Sequence, residues 1–492
     1  MLERPAEMFD RHREWEALTS FATDPSPSGA RLGVVSGRRR QGKTFLLRAL
    51  CQATGGFFFA ADEATDRESL TRLGSALADH LDAPAPLTFE TWHAAVDALL
   101  ALGRERRIPV VIDEFPYLVK ANPQLPSIIQ NALAPLRPER DNSQVSLLLC
   151  GSAMSFMGRL LSGNAPLRGR AGLELVVPTL DHLLAAQFWG ITDPLTALKV
   201  NAVVGGTPAY RREFARDDAP AGPEDFDAWV VRTVLSPTTP LFREARYLLA
   251  VEAELHDTGL YHSVLGAIAA GNTHRGGIAS YLGRKSGDLA HPLTVLMDCG
   301  LVTREPDAFK DNRTTFRIAE PLVTFYHAVM RPIWSDLGQA RDATRLWQRS
   351  QRRFTGNVMG PHFERIARQW TRHFAGPEFF GDYPSDVTSG TVNDPAARTS
   401  HEVDIVTTGL DDDDRPYLMA IGEAKYAEPM GLGHLERLRH IRQLLTAQGR
   451  HGAETAKLVC YGAGGFSEQL QEAAQGDPEI VLVGVDDLYR AN

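Results

Sequence analysis

Two sets of residues in this chain have the types and spacing to do chemistry. The first begins at Gly37-Arg38-Arg39-Arg40-Gln41-Gly42-Lys43-Thr44, which fits G-x-x-x-x-G-K-[ST]. At that spacing the glycines let the backbone curl with its N–H groups inward, and the following helix adds positive partial charge at its start. Lys43 can neutralise the terminal phosphates of a nucleoside triphosphate, and the Thr44 hydroxyl can ligate Mg²⁺. Gly37, Arg40, Gln41, Gly42, Lys43 and Thr44 are the candidate nucleotide contacts. Some seventy residues later an apolar run ends in Asp113-Glu114. Asp113 is suited to hold Mg²⁺ and Glu114 to polarise an attacking water. A further apolar run, 145–150, ends at Gly151-Ser152. Ser152 is a candidate sensor of the γ-phosphate, or else the cap of the next helix. Arg170, preferred to Arg168, is a candidate finger for that phosphate, in cis or from a neighbouring subunit; the alternative is a surface arginine without a role.

The second set lies near the C-terminus. Asp404 sits in an alternating segment, 402–406, and Glu423-x-Lys425 ends another, 417–425. Period two puts Glu423 and Lys425 on one strand face. Two carboxylates so placed can hold Mg²⁺ or Mn²⁺ while the ammonium activates water for phosphodiester attack. Glu364, on a helix before them, is a candidate additional ligand. The run Asp411-Asp412-Asp413-Asp414 reads as a solvated turn.

The elements that must position these residues follow from the pattern. Short apolar runs at 32–35, 57–60, 109–114, 145–150 and 173–177 alternate with helix-periodic segments, 67–81 and 91–102 among them. That is the signature of a parallel, doubly wound α/β sheet. Residues 9–18 read as a short amphipathic helix that covers either the adenine or the sheet, and 24–29 as a loop. Residues 181–242 are mainly helical, with a break at 205–210. Helices at 261–269, 274–282 and 288–299, then a hairpin at 301–318, give the order of a winged helix. Its third helix carries Asp288, His291 and Asp298, which suits protein contact at least as well as DNA; Lys310 and Arg313 lie on the wing. Arg341, Arg345, Arg349, Arg352 and Arg353 form a basic tract at helical spacing, either a solvated face or one that meets phosphates. From 360 onward the order reads αβββαβ, with a helix at 434–447, strands at 457–461 and 480–485, and a helix at 467–474.

Length and composition bound these readings. The 492 residues are enough for about three domains. No run is long enough to cross a bilayer, and residues 1–5 lack the layout of a signal peptide, so a cytoplasmic protein with no membrane partner is expected. The four cysteines are far apart and form no C-x-x-C pair, so neither zinc nor a disulfide framework is suggested. A formal net charge of −9 argues against a whole-protein electrostatic grip on nucleic acid but leaves room for a local basic face.

The segments GRRRQGKT, VVIDEFPYL, LLLCGSAMSFM, PLRGR, VGGTPAY, CGLVTRE and EVDIV…IGEAKY, in that order, resemble those of the archaeal and bacterial DEXX-box P-loop ATPases of the AAA-like class, whose C-terminal part is similar to PD-(D/E)XK nucleases. The resemblance covers nearly the whole chain. It implies a P-loop ATPase core (1–180), a helical lid (181–250), a winged-helix domain (251–335) and a restriction-endonuclease-like domain (336–492). It implies ATP binding and slow hydrolysis through Lys43, Thr44, Asp113 and Glu114, and metal-dependent nuclease chemistry at Glu364, Asp404, Glu423 and Lys425. The expected function is an ATPase whose nucleotide state controls a DNA nuclease in mobile-element or phage-defence biology. The alternative is a nucleotide-gated DNA-binding or signalling regulator with an inactive nuclease lobe. A finger supplied in trans would require a homo-oligomer. Three consecutive arginines in the phosphate loop and the acidic third winged helix depart from the family pattern.

Overall fold

The structure, a computed structural model, describes residues 2–25, 29–250, 258–339 and 342–490. Part of the expected 24–29 loop and Arg341 of the basic tract lie outside the described residues. The chain forms two compact units, one of Met1–Thr179 with Asp298–Gly300 and one of Leu180–Met297 with Leu301–Asn492.

In the first unit, β1 (Arg31–Ser36), β2 (Phe57–Ala60), β3 (Ile108–Asp113), β4 (Val145–Gly151) and β5 (Ala171–Val176) form a parallel sheet in the order β2-β3-β4-β1-β5. Every residue of β3 and β4 is buried, as expected of parallel strands covered on both faces, and this is why they read as unbroken apolar runs. On one face Leu73, Leu77, Trp92 and Leu99 pack against Val110 and Leu147. On the other, Trp15 and Leu18 of the first helix, His12–Thr23, join Leu46 and Leu50 against Val35, Val111 and Leu148. The first helix therefore covers the sheet. Because β4 runs between β1 and β3, the C-terminal ends of all three lie side by side. Open α/β sheets present ligands at such ends.

The second unit is built on a seven-stranded mixed sheet. Its strands are β6 (Val302–Asp307), β7 (Lys310–Ile318), β8 (Asp386–Asp394), β9 (Thr399–Leu410), β10 (Pro416–Lys425), β11 (Lys457–Gly462) and β12 (Ile480–Gly484), in the order β12-β11-β10-β9-β8-β6-β7. Helices Thr258–Ala269, Arg275–Tyr281 and Ala290–Asp298 precede the β6–β7 hairpin, the order of a winged helix. The hairpin is joined to β8 through the parallel pair Asp307 and Ser389, so the sheet runs across the expected boundary at 336. The long helix Leu432–Ala447 lays Leu435, Leu438, Ile441 and Leu445 on Val392, Val403, Val406 and Ile421. The helix Gly360–His373 buries Phe363, Ile366, Ala367 and Trp370. The expected αβββαβ order leaves room for strand β8 but no residue range marks it, because Asp386-Val387-Thr388-Ser389-Gly390 offers little apolar alternation.

Candidate functional site

Residues 37–42 connect β1 to the helix Lys43–Thr54. Gly37 has φ 145° and Gly42 φ 88°, both in the region that favours glycine. A Cβ on Gly37 would lie 2.5 Å from the Val177 carbonyl oxygen. Lys43 is buried and its Nζ donates to the carbonyl oxygens of Gly37 (2.6 Å) and Arg38 (2.9 Å), which places the ammonium inside the curl of the loop. Burial pulls its pKa down, against the opposing carboxylate charges of Glu114 and Asp113. The Thr44 hydroxyl donates to Asp113 Oδ2 at 2.7 Å, and the Glu114 N–H donates to Asp113 Oδ1 at 3.1 Å. These adjacent hydroxyl and carboxylate oxygens form a hard donor pair that fits Mg²⁺. Glu114 has φ 51°, a strained conformation for a non-glycine residue, and its Oε1 accepts a hydrogen bond from Ser152 Oγ at 3.0 Å. The structure thus brings Lys43, Thr44, Asp113, Glu114 and Ser152 together. Ser152 makes no side-chain cap to the helix Met154–Leu160, whose N-cap residue is Ala153.

Arg170 is a correction. It immediately precedes β5, and β5 starts level with Leu32 at the beginning of β1, whereas the phosphate loop leaves the other end, where Ser36 pairs with Val176. At about 3.3 Å per residue, roughly 15 Å of sheet separate the two ends. Arg170 is exposed there and cannot serve as a finger in cis. Arg168 donates to the Gly163 carbonyl at 2.7 Å. Sequence reasoning missed Arg11, which is buried and donates to the carbonyls of Gln41 (3.2 Å) and Pro178 (2.9 Å), tying the loop to the N-terminal segment. Its only signal was an arginine within the amphipathic segment 9–18.

The C-terminal carboxylates also converge. Thr388 pairs with Val406 while Gly390 pairs with Val403, so β9 carries one extra residue, a bulge at Asp404-Ile405. Bulges re-aim side chains. Asp404 Oδ2 here accepts the Ala424 N–H of β10 at 3.0 Å. Burial, then the charge of Glu364, pushes the Asp404 carboxyl up to about 7, against the Ala424 hydrogen bond and Lys425. Glu423 Oε1 lies 3.0 Å from Lys425 Nζ and its Oε2 2.7 Å from Arg437 Nη1. Burial raises the Glu423 carboxyl, but the two cations outweigh it and leave the pKa below its ordinary value. Glu364 Oε2 faces Arg317 Nη2 (3.6 Å) and Arg368 Nη1 (3.8 Å), and Glu305 Oε2 accepts from Arg317 Nε at 2.9 Å.

The donor set fits a divalent cation in part. Asp404, whose raised pKa a cation would reverse, is one carboxylate donor and Glu364 a second, whereas both oxygens of Glu423 are engaged by cationic side chains. Glu305, Arg317, Arg368 and Arg437 were missed, because only long-range folding brings the wing and two helices to this point. The wing cations Lys310 and Arg313 are engaged within the unit, Lys310 with Asn393 Oδ1 (2.7 Å) and Arg313 with His274 Nε2 (2.9 Å). The basic tract is the helix Ala343–Arg353, with Arg345, Arg349 and Arg352 exposed. Among the described residues no helix is long and apolar enough to cross a membrane.

No protein-family model matches the chain. An uncharacterized protein of Methanocaldococcus jannaschii is 26% identical over 303 residues, 61% of this chain, and the chain spans 64% of that relative's length. Among solved structures, the Walker-type ATPase of Pyrococcus abyssi superposes with a TM-score of 0.49 at 20% identity, covering 66% of this chain and 97% of its own. The ORC2 protein of Aeropyrum pernix, solved as ADPNP–ADP complexes, superposes at 0.42 and 15% identity, covering 71% and 95%.

Proposed function

We propose that the chain binds and hydrolyses ATP at residues 37–44, Asp113 and Glu114, and that its nucleotide state controls metal-dependent DNA cleavage at Glu364, Asp404, Glu423 and Lys425. The observation that carries the first half is the contact of Thr44 with Asp113 at 2.7 Å, with Glu114 set beside it by Ser152. In this reading the loop N–H groups and Lys43 bind the phosphates, Thr44 and Asp113 hold Mg²⁺, and Glu114 orients and deprotonates water. Mg²⁺, when bound, neutralises charge that develops on the phosphate oxygens. Ser152 holds the Glu114 carboxylate in position. At the second site Asp404 and Glu364 would hold Mg²⁺ or Mn²⁺, joined by Glu423 once Arg437 releases it, and Lys425 would orient the attacking water.

A specific observation favours a second reading, a nucleotide-gated DNA-binding or signalling regulator with an inactive lobe. Lys425 and Arg437 take both Glu423 oxygens, and Arg317 and Arg368 face Glu364. Incubation with plasmid DNA and Mg²⁺ or Mn²⁺, with and without ATP, separates the readings. Cleavage lost in Asp404→Ala and Lys425→Ala supports the nuclease. Intact DNA with ATP-dependent DNA or partner binding supports the regulator. Cleavage by Lys43→Ala that matches the wild type in both nucleotide conditions would sink the coupling.

A further inference from the structure

We propose that Asp394, His401 and His440 form a binding site for a divalent transition-metal cation, with zinc the best fit. Asp394 is the last residue of β8, His401 lies in β9 and His440 on the long helix Leu432–Ala447. Val392 pairs with His401 and Asp394 with Thr399, so Asp394 and His401 are diagonal neighbours on one sheet face. Val392 and Val403 of that face pack against the helix that carries His440. The candidate ligand atoms all lie within 4.8 Å of one another. His440 Nε2 is 2.8 Å and His401 Nε2 3.5 Å from the same Asp394 oxygen, Oδ2. Tetrahedral zinc with bonds near 2.0–2.1 Å sets its ligand atoms roughly 3.3 Å apart, so small side-chain rotations convert this cluster into a coordination sphere.

Two further observations point to a ligand. His401 Nε2 is buried and makes no well-formed hydrogen bond among the described residues, its 3.5 Å contact with Asp394 Oδ2 being long. A buried polar atom left in that state is costly, and the Asp394–His440 hydrogen bond satisfies only one of the two rings. A cation would satisfy both. Asp394 is also already oriented, since its Oδ1 accepts the Ala397 N–H at 3.0 Å and Oδ2 faces the two imidazoles. Such support of a ligand carboxylate is typical of metal sites. Two imidazoles with one carboxylate select zinc-like cations over Mg²⁺ or Ca²⁺, which prefer oxygen. This separates the triad from the oxygen-rich set at Asp404, three residues further along β9, and zinc binding at the triad holds whether or not that set cleaves DNA.

The full-length protein, stripped with a chelator, would be titrated with Zn²⁺ by calorimetry and with Co²⁺ by visible absorption. The wild type and the Asp404→Ala/Glu423→Ala double variant are expected to take up Zn²⁺ at one common site and to give the intense Co²⁺ bands of low coordination. His401→Ala/His440→Ala should weaken that binding on the order of a hundredfold. Thermal melts guard against misfolding. Without metal, His440→Gln should melt with the wild type, since the His440 side chain is about half exposed. With Zn²⁺ only the wild type should gain stability. No zinc uptake by the wild type, or uptake that survives loss of both histidines, overturns the proposal.

Discussion

Glu114 takes a backbone conformation that costs energy and accepts a hydrogen bond from the residue at the end of the neighbouring strand. Strain of that kind persists only where surrounding contacts impose it. If Glu114 activates water, Glu114→Gln should bind ATP near wild-type affinity while hydrolysing it about 10² to 10³ times more slowly, read by a phosphate-release assay beside equilibrium binding. Ser152→Ala should show the same split with a smaller loss, about tenfold, because it removes the holder of the carboxylate and leaves the carboxylate itself. Equal losses of binding and turnover in Ser152→Ala would instead make Ser152 a nucleotide contact. Gly37 is constrained differently. Its positive φ and the 2.5 Å approach to the Val177 carbonyl predict that Gly37→Ala lowers the stability of the first unit by about 1–3 kcal/mol, measured by denaturant unfolding.

At the level of elements, legibility followed burial. The apolar cores of β1 to β4 could be read because parallel strands covered on both faces need unbroken apolar runs. Strand β8 could not, since its residues are held by pairing with β9 and by the β6 bridge rather than by their own pattern. Asp404, Glu423 and Lys425 were legible from strand period, but the bulge that turns Asp404 toward β10 was not, because a bulge is a property of pairing. Arg170 was misplaced for a related reason: order along the chain does not tell which end of an edge strand faces the nucleotide.

The segment Tyr326–Met330 carries its own pH response. His327 is buried, and burial, then Arg331 and His262, hold its pKa well below the ordinary 6.5. Arg331 Nη1 lies 3.4 Å from its Nδ1, and the His262 and Tyr326 rings pack beside it, with Arg246 also acting on His262. The unfolded chain gains a proton below about pH 6.5 while the folded state stays neutral. This contribution to stability is therefore complete above that pH and is lost as pH falls toward the folded value, by up to about 1.4 kcal/mol per unit. Melting curves between pH 7.5 and 5.5, roughly the range in which an ordinary imidazole titrates, should show a shallower fall for His327→Gln than for the wild type.

For the whole molecule, each compact unit carries one of the two sets of residues that drew attention in the sequence. With a net charge of −9, any DNA binding would have to use a local face, and the helix Ala343–Arg353 offers one with Arg345, Arg349 and Arg352. If that face meets phosphates, replacing the three arginines by alanine should weaken binding to all sequences alike. It should also flatten the plot of log affinity against log salt by about 0.9 for each phosphate that is no longer neutralised. An unchanged slope would return the helix to the status of a solvated face.

The β6–β7 hairpin carries a charge to the second carboxylate set. Its turn meets the sheet at the pair Asp307 and Ser389, where the Thr391 N–H donates to the Asp307 carboxylate at 3.1 Å, the Ala308 N–H to the Ser389 carbonyl at 2.9 Å, Lys310 to Asn393 Oδ1 at 2.7 Å and Arg450 to the Phe309 carbonyl at 2.9 Å. The other end of the hairpin holds Arg317 between Glu305 of the same hairpin and Glu364 of the helix Gly360–His373. Removing the Arg317 charge would therefore leave Glu364 facing Arg368 alone, and so strengthen its attraction for a cation without altering any residue of β9 or β10.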